Sequence, residues 1–386
     1  MTSLNPLIAG LTPPPIPAVQ AWGRTYDGRR GPLVDLSQAV PGYPPHPLLL
    51  ERLAAAAGDR ASAAYGPIEG DRALRDAFAR HQSAVYGATL AAENLHVTAG
   101  CNQAFVVAAL AFAEPGSRVL LTNPFYFNHE TTLQMFGVGV GLVDCPATTG
   151  FLPDPATLDA AITPDVRAVA FVSPNNPTGA VYPPALIEAL HAVCARRGIW
   201  MILDETYRDF LAPGAGRPHG VFGRPDWGDS FVSLYSFSKS FCIPGHRLGA
   251  VTGSPAVIEA VGKIMDNLQI CAPRVGQIAV AETIDTLADW REANRAEIAA
   301  RAAALRAAVE AAPGWQIGAV GAYFAFVRHP YAGTPSLAVA EKLALEAGIL
   351  TLPGGCFGPG QEDFLRFAFA NADVGALEEM GRRLAG

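Results

Sequence analysis

The chain has 386 residues, half of them hydrophobic and 16% charged; that is enough apolar mass for a large core, excludes general disorder, and fits one large domain plus one smaller. Lys and Arg number 28 against 35 Asp and Glu, a formal net charge of −7, which argues against nucleic acid or an anionic membrane as the main partner. No apolar run approaches the ~20 residues that span a bilayer, the proline-rich start (Pro13, Pro14, Pro15, Pro17) lacks a basic-then-apolar leader pattern, and six scattered cysteines with no C-x-x-C fit reduced thiols in a cytoplasmic protein.

In chain order, residues 1–30 read as a Pro/Gly-rich arm and not as a core element. Asp71–Tyr86 has helical spacing with Leu74, Phe78 and Val85 on one face. Leu95–Thr98 is a short strand and Asn102–Ala113 an apolar helix. Arg118–Thr122, Val140–Val143 and Ala168–Val172 are strands, and Pro184–Arg197 is a helix opening on two prolines, which suits a first turn. Strands follow at Trp200–Leu203, Phe231–Tyr235 and Leu248–Thr252. Strands alternating with helices predict an α/β fold with a mostly parallel sheet covered on both faces. After about residue 280 the pattern changes. Ala281–Ala312, without glycine or proline until its end, is one or two helices connecting two domains; Ala322–Val327 and Phe364–Ala370 alternate as strands, and Asp373–Leu384 closes the chain as a helix. This tail reads as a second, α+β domain, with the N-terminal arm sharing its core.

In an open α/β sheet, ligands bind beyond the carboxyl ends of the strands. The residues placed there are Tyr126 after Arg118–Thr122, the run Ser173–Gly179 (SPNNPTG) after Ala168–Val172, Asp204-Glu205-Thr206-Tyr207 after Trp200–Leu203, and Ser236-Phe237-Ser238-Lys239-Ser240 after Phe231–Tyr235, with Arg247 eight residues past the lysine. Taken singly they have ordinary readings. Asp204 suits a helix N-cap, Asn176–Gly179 a turn, Tyr126 the core, and Arg366 an ion pair with Glu362 or Asp363. Together they describe one crevice. A lysine in a partly dry pocket beside Arg247 has a lowered pKa and can form a Schiff base with a carbonyl. Arg247, the serine hydroxyls and the backbone N–H groups of Ala99-Gly100-Cys101-Asn102 at a helix start make a phosphate cradle. A carboxylate emerging from an apolar strand needs a cation, and a protonated pyridine nitrogen is one. Aldehyde, phosphate, ring nitrogen and a flat ring for an aromatic to cover together describe pyridoxal 5′-phosphate.

At this point the sequence resembles the class I/II aminotransferases, of the fold-type I group of pyridoxal phosphate-dependent enzymes. YGPIEG (Tyr65–Gly70), AGCNQA (Ala99–Ala104), SPNNPTG, DETY (Asp204–Tyr207), SFSKSFCIPGHRLG (Ser236–Gly249) and LRFAFA (Leu365–Ala370) stand in the family's order over nearly the whole chain. The resemblance implies a large domain with a seven-stranded, mostly parallel sheet flanked by helices, and divides the chain into an arm (1–45), a large cofactor-binding domain (46–280) and a small α+β domain (281–386). It implies Lys239 as the Schiff-base lysine and proton carrier, Asp204 as partner of the ring nitrogen, Asn176 and Tyr207 as donors to the 3′-oxygen, and Tyr126 as the stacking ring. Cys101, Asn102, Ser236, Ser238 and Arg247 would form the phosphate site, and Tyr65 would reach the phosphate of a neighbouring subunit in a homodimer. Arg366 would bind the substrate α-carboxylate, on a strand face shared with Phe364, Ala368 and Ala370. Ala39 stands where the family often has a glycine close to the substrate, Cys101 where small or hydroxyl residues are common, and His246 where an apolar residue is frequent.

The activity implied is transfer of an amino group between an L-amino acid and a 2-oxo acid by a ping-pong Schiff-base mechanism. The same scaffold also serves β- or γ-elimination or replacement, cyclisation and oxidation, and a non-catalytic metabolite sensor is a further reading. Tyr43, Phe357 and the stretch from Asp266 to Arg274 are candidate side-chain selectors. Gly137–Gly141 lacks the helix that a dinucleotide fingerprint needs, Gly262-Lys263 lacks P-loop spacing, and no His pair has zinc-site spacing.

Overall fold

Val166–Val172 (VRAVAFV) is buried at every position but Arg167. A nearly unbroken run of apolar side chains, four of the seven β-branched or aromatic, suits a strand covered on both faces. In the computed structural model, which describes residues 4–386, that strand lies inside a seven-stranded sheet. From edge to edge the order is Leu95–Thr98, Gly249–Thr252, Phe231–Ser236, Trp200–Asp204, Val166–Val172, Arg118–Asn123 and Gly139–Asp144. Gly249–Thr252 runs antiparallel to both neighbours; all other pairings are parallel.

Helices cover both faces. On one, Ala104, Phe105 and Ala108 of Cys101–Phe112 pack with Val119, Ala170, Ile202 and Val232. On the other, Ile187 and Leu190 of Pro184–Arg197 meet Val169, Phe171 and Leu203. Pro184–Arg197 ends where Gly198 takes the left-handed conformation, φ 66°. Helix Arg72–Tyr86 buries Leu74, Ala77 and Phe78 as the spacing predicts, while its C-terminal turn turns in Gln82 and Tyr86 more fully than Val85.

A four-stranded antiparallel sheet forms the second body, in the order Leu352–Pro353, Phe364–Phe367, Phe324–Arg328, Gln316–Gly321. The Ala281–Ala312 stretch resolves into the end of Arg274–Thr283 and the helix Ala288–Glu310, whose Ile298, Leu305 and Val309 pack on this sheet together with Leu377 and Met380 of Val374–Ala385. The arm joins it: Val34–Asp35 pairs in parallel with Ile349–Leu350, and the Ala368 N–H donates to the Leu36 carbonyl.

Several elements depart from the sequence reading. The proline-rich start is not an irregular arm; it forms helices Pro6–Ala9 and Pro15–Thr25, and the second buries Val19 in the main core. Pro6 and Pro15 stand at first-turn positions, where a missing N–H costs nothing and the fixed φ favours the helix. The strand bearing Arg366 ends at Phe367, so Ala368 and Ala370 lie in the turn beyond it and do not share its face. Gln316–Gly321 is a strand that its two glycines conceal. Among the described residues no helix is long and apolar enough to cross a membrane.

Candidate active site

The carboxyl ends of Val166–Val172, Trp200–Asp204 and Phe231–Ser236, with Tyr126 beyond Arg118–Asn123, open on one cleft of about 620 Å³, lined by Cys101, Asn102, Tyr126, Val172, Asn176, Asp204, Thr206, Tyr207, Ser236, Ser238, Lys239, Pro244 and Arg247. Ten residues singled out in the sequence are in that lining.

One end is built to take an oxyanion. Helix Cys101–Phe112 starts there with Gly100 as its N-cap at φ 87°, presenting unpaired N–H groups. A side chain on Gly100 would displace the Arg247 guanidinium, whose Nη2 would stand 2.3 Å from the Cβ, and would strain a backbone held at φ 87°. Arg247 is held across this turn by donating from Nη1 to the Pro244 carbonyl at 3.0 Å, and itself has φ 50°. Ser236 caps the short helix Phe237–Ser240 by accepting from the Ser238 N–H, whereas the buried Ser238 Oγ has no protein partner. Cys101 contributes its place in the first turn; burial raises its thiol pKa well above the ordinary range, so it stays neutral.

The floor carries Asp204 at the end of its strand. It does not cap a helix: Oδ1 accepts from the Thr206 N–H at 2.9 Å within the turn, and Oδ2 lies 3.6 Å from His129 Nε2. Burial alone would raise this carboxyl; the hydrogen bond and charge of His129, with Thr206, outweigh it and hold the pKa below the usual range. His129 is fixed by stacking on Phe105, centroids 3.9 Å apart, and touches Tyr126 edge-on. It was not singled out in the sequence, although its place three residues after Tyr126 is the spacing of one helical face.

Lys239 reaches the cleft from the short helix and donates from Nζ to the Ala39 carbonyl. Burial, then the positive charges of Arg247 and Arg366, lower its pKa to about 8. Ala39 therefore comes close to the Lys239 amine, through its backbone. Tyr126 and Tyr207 are kept as neutral phenols by burial, which pushes the first up to about 12 and raises the second well above its ordinary range. Tyr126 OH accepts from Asn128 Nδ2 at 2.7 Å.

Arg366 sits one layer beyond. Nη1 donates to Asn176 Oδ1 at 3.0 Å, Nη2 donates to the Ser37 carbonyl, and the buried Nε has no partner. The rings of Phe324 and Phe357 flank its guanidinium at 4.9 and 5.2 Å, so its neighbours are aromatic and not small residues. It pairs with neither local acid: Asp363 binds Arg328, and Glu362 accepts from Ser336. Burial lowers its pKa to about 10. A buried cation with no carboxylate partner among the described residues is a receptor for an anion. Ser37, placed by Asp35, which accepts from its N–H and Oγ at 2.9 and 2.6 Å, was missed because only its backbone takes part.

Tyr65 stands apart, 77% exposed and outside the cleft. Of the selector candidates, Arg274 is occupied by Asp71 and the Ala61 carbonyl, Asp266 is exposed outside the cleft, and Phe357 covers Arg366. Tyr43 lies over Trp290, away from the cleft lining.

The donor set fits pyridoxal phosphate on three observations. Gly100, Arg247 and the unpartnered Ser238 hydroxyl form an anion cradle that a Cβ would fill; Asp204 is a buried carboxylate kept charged; Lys239 is an amine with a depressed pKa between them.

Residues 32–384 match the family model for aminotransferase class I and II. The chain is 30% identical to a valine–pyruvate aminotransferase of Mycobacterium tuberculosis, over 100% of this chain and 98% of that protein. It is likewise 30% identical to an arginine–pyruvate transaminase of Pseudomonas aeruginosa, over 83% and 81%. A solved aspartate aminotransferase of Thermus thermophilus, a double mutant, superposes with a TM-score of 0.91 at 26% identity, over 100% of this chain and 99% of that one.

Proposed function

The chain belongs to the class I and II aminotransferases and is a pyridoxal phosphate-dependent transaminase acting on amino and 2-oxo acids, and within that activity we propose the following roles for its residues. The observation that carries them is the convergence of Lys239 Nζ, the Asp204 carboxylate and the Gly100-Cys101-Asn102 helix start on a single cleft.

When bound, the cofactor supplies an aldehyde for the amine and an electron-accepting ring that stabilises negative charge at the substrate Cα. Cys101, Asn102, Ser236, Ser238 and Arg247 would hold its phosphate, Tyr126 would pack against its ring, and Asp204 would keep a proton on the ring nitrogen. Asn176, whose Oδ1 is committed to Arg366, turns Nδ2 to the cleft as a donor, and Tyr207 donates beside it. Lys239, with a pKa of about 8, is in part a free base near neutrality, and it would take the proton from the substrate Cα and deliver it to the cofactor's aldehyde carbon, which lies across the nitrogen from Cα. Arg366 receives the α-carboxylate through its unpartnered Nε and the Nη groups beside it. Ala39 brings its carbonyl to Lys239 and bounds the substrate's side.

The exposed Tyr65 supports a homodimer in which that phenol completes the neighbouring subunit's phosphate site. The pairing of Val34–Asp35 with Ile349–Leu350 supports a division into an arm (1–45) that joins the small domain (281–386) and a large domain (46–280). Six free cysteines, none paired, are compatible with a cytoplasmic location.

Two measurements test these roles. With a single amino acid and no oxo acid, the visible band of the purified holoenzyme should fall, and adding a 2-oxo acid should restore it. Ammonia release without an acceptor would instead indicate elimination. For Arg366→Leu, KM for both the amino and the oxo acid is expected to rise about 10- to 100-fold, since charge-assisted hydrogen bonds to a carboxylate contribute roughly 1.5–3 kcal/mol. Unchanged KM values would remove Arg366 from the substrate site.

A further inference from the structure

The short helix Phe237–Ser240 stands between two cavities. Lys239 lines the cleft already described; the next residue, Ser240, lines a second one of about 740 Å³. Its polar wall comes from three other elements: His81 of helix Arg72–Tyr86, Arg208 and Asp209 just past Tyr207, and Arg291, Glu292 and Arg295 at the start of helix Ala288–Glu310.

Donors exceed acceptors there. His81 Nε2, Arg208 Nε and Nη2, Ser240 Oγ and Arg291 Nε are buried without a hydrogen-bond partner. Of the other guanidinium nitrogens, Arg208 Nη1 donates to Tyr86 OH at 2.7 Å and Arg291 Nη2 to the Ile284 carbonyl at 2.9 Å. Arg208 cannot swing out to water. It is 3% exposed, and Tyr235, Tyr86 and Phe78 hold it between their rings at 4.3, 5.2 and 5.5 Å. The local carboxylates answer this surplus in charge but not in hydrogen bonds: Asp209 lies within ion-pair distance of Arg208, and Glu205 is linked to it through the Tyr86 hydroxyl, which accepts from Arg208 and donates to Glu205. Asp209 accepts from Tyr235 OH and leaves its other oxygen 3.9 Å from Arg208 Nε, beyond hydrogen-bond reach; Glu292 is taken by Arg295 at 2.7 Å. Burial would raise the Asp209 carboxyl, yet Arg208, His81 and Arg291 hold it below the usual range, while against burial Asp209 and Glu205 in turn raise the Arg208 pKa, so the carboxylate and the guanidinium both stay charged. Each buried N–H left unmade costs about 1–3 kcal/mol. A single water offers two lone pairs; an oxyanion offers more and carries the opposing charge.

We propose that this cavity is a second anion site, in which Arg208 and Arg291 hold the oxyanion of a small carboxylate or phosphate compound while Val85, Leu211 and Pro218 contact its apolar body. The site is separate from the transamination cleft and does not depend on the roles assigned there. Two pairs of consecutive residues link them structurally, Lys239 with Ser240 and Tyr207 with Arg208, the first of each lining the cleft and the second lining the other cavity.

The test uses holoenzyme crystals, so that the cofactor occupies its own cradle, soaked separately in selenate and in 4-bromobenzoate and read by anomalous scattering. A selenium peak between Arg208 and Arg291 is expected, and a bromobenzoate carboxylate at the same place if carboxylates are the natural class; selenate alone would assign a phosphate-type ligand. In solution, Arg291→Leu should weaken inorganic phosphate or bromobenzoate binding by at least about tenfold while the visible band of the holoenzyme is kept. Only water between Arg208 and Arg291 at saturating probe, or peaks confined to the transamination cleft, would overturn the proposal. The crystallographic readout needs no variant, so it stands even if Arg291→Leu fails to fold.

Discussion

Lys239→Ala is expected to fold, to hold the cofactor through the phosphate cradle, and to lose about four orders of magnitude in kcat, the upper end of what a positioned acid–base group supplies. No second group can take over. Within the cleft the other nitrogen bases are guanidinium groups, which do not give up protons near neutrality, and the phenols of Tyr126 and Tyr207 have pKa values pushed upward by burial. Single-turnover loss of the visible band with an amino acid separates this from a binding defect: KM stays near wild type because Arg366 is untouched. A variant with normal turnover would leave Lys239 without its role. The same amine also marks protein stability. In the apo protein its pKa is about 8 against an ordinary 10.5, so the buried ammonium penalises folding at all pH values below about 8. That penalty is relieved as pH rises from 8 to about 10.5, because the unfolded chain then binds more protons than the folded one. Urea unfolding of the apo wild type and of apo Lys239→Ala should accordingly differ by less at pH 10.5 than at pH 7, with the wild type gaining on the variant.

How much of this could be read from the sequence follows from where each interaction is encoded. Asp204, Asn176, Tyr126 and Lys239 stand directly after short apolar runs, and a parallel sheet sends every such position to the same edge; their convergence was legible once the strands were. Backbone carbonyls were harder to read. Ser37 acts through a carbonyl that any residue carries, so its side chain does not advertise it, and Ala39, whose carbonyl meets Lys239, was singled out only through the family resemblance. His129 acts through its side chain, but it lies inside a helix with no clear apolar face, where a buried histidine gives no pattern. The small sheet was half concealed for a similar reason: Gln316–Gly321 contains two glycines, and its strand character comes from pairing with Phe324–Arg328, a contact formed only in the fold. The helix Pro15–Thr25 shows the opposite error, since its prolines signal a loop by composition and a helix start by position.

Asp204→Asn is expected to lower kcat by about 10²- to 10³-fold, the scale on which removal of one preorganised electrostatic partner acts, while changing the volume of the site very little. The asparagine can still accept from the Thr206 N–H, so the turn after the strand should keep its shape. What it lacks is the charge. Asp204 is buried, its pKa is held low by His129, and no other carboxylate lines the cleft. Without it, nothing in the site favours a proton on the ring nitrogen, and the electron demand that makes the Cα proton acidic is lost. The deficit should therefore appear in the proton-transfer step: the primary isotope effect on deuterated amino acid should rise towards its full value, whereas cofactor binding, which depends on the cradle about Gly100 and Arg247, should weaken far less than kcat. Asp204→Glu keeps the charge and should retain more activity than Asn despite its extra methylene. If Asn and Glu are equally impaired, geometry and not charge governs this position, and the role assigned to the buried anion fails.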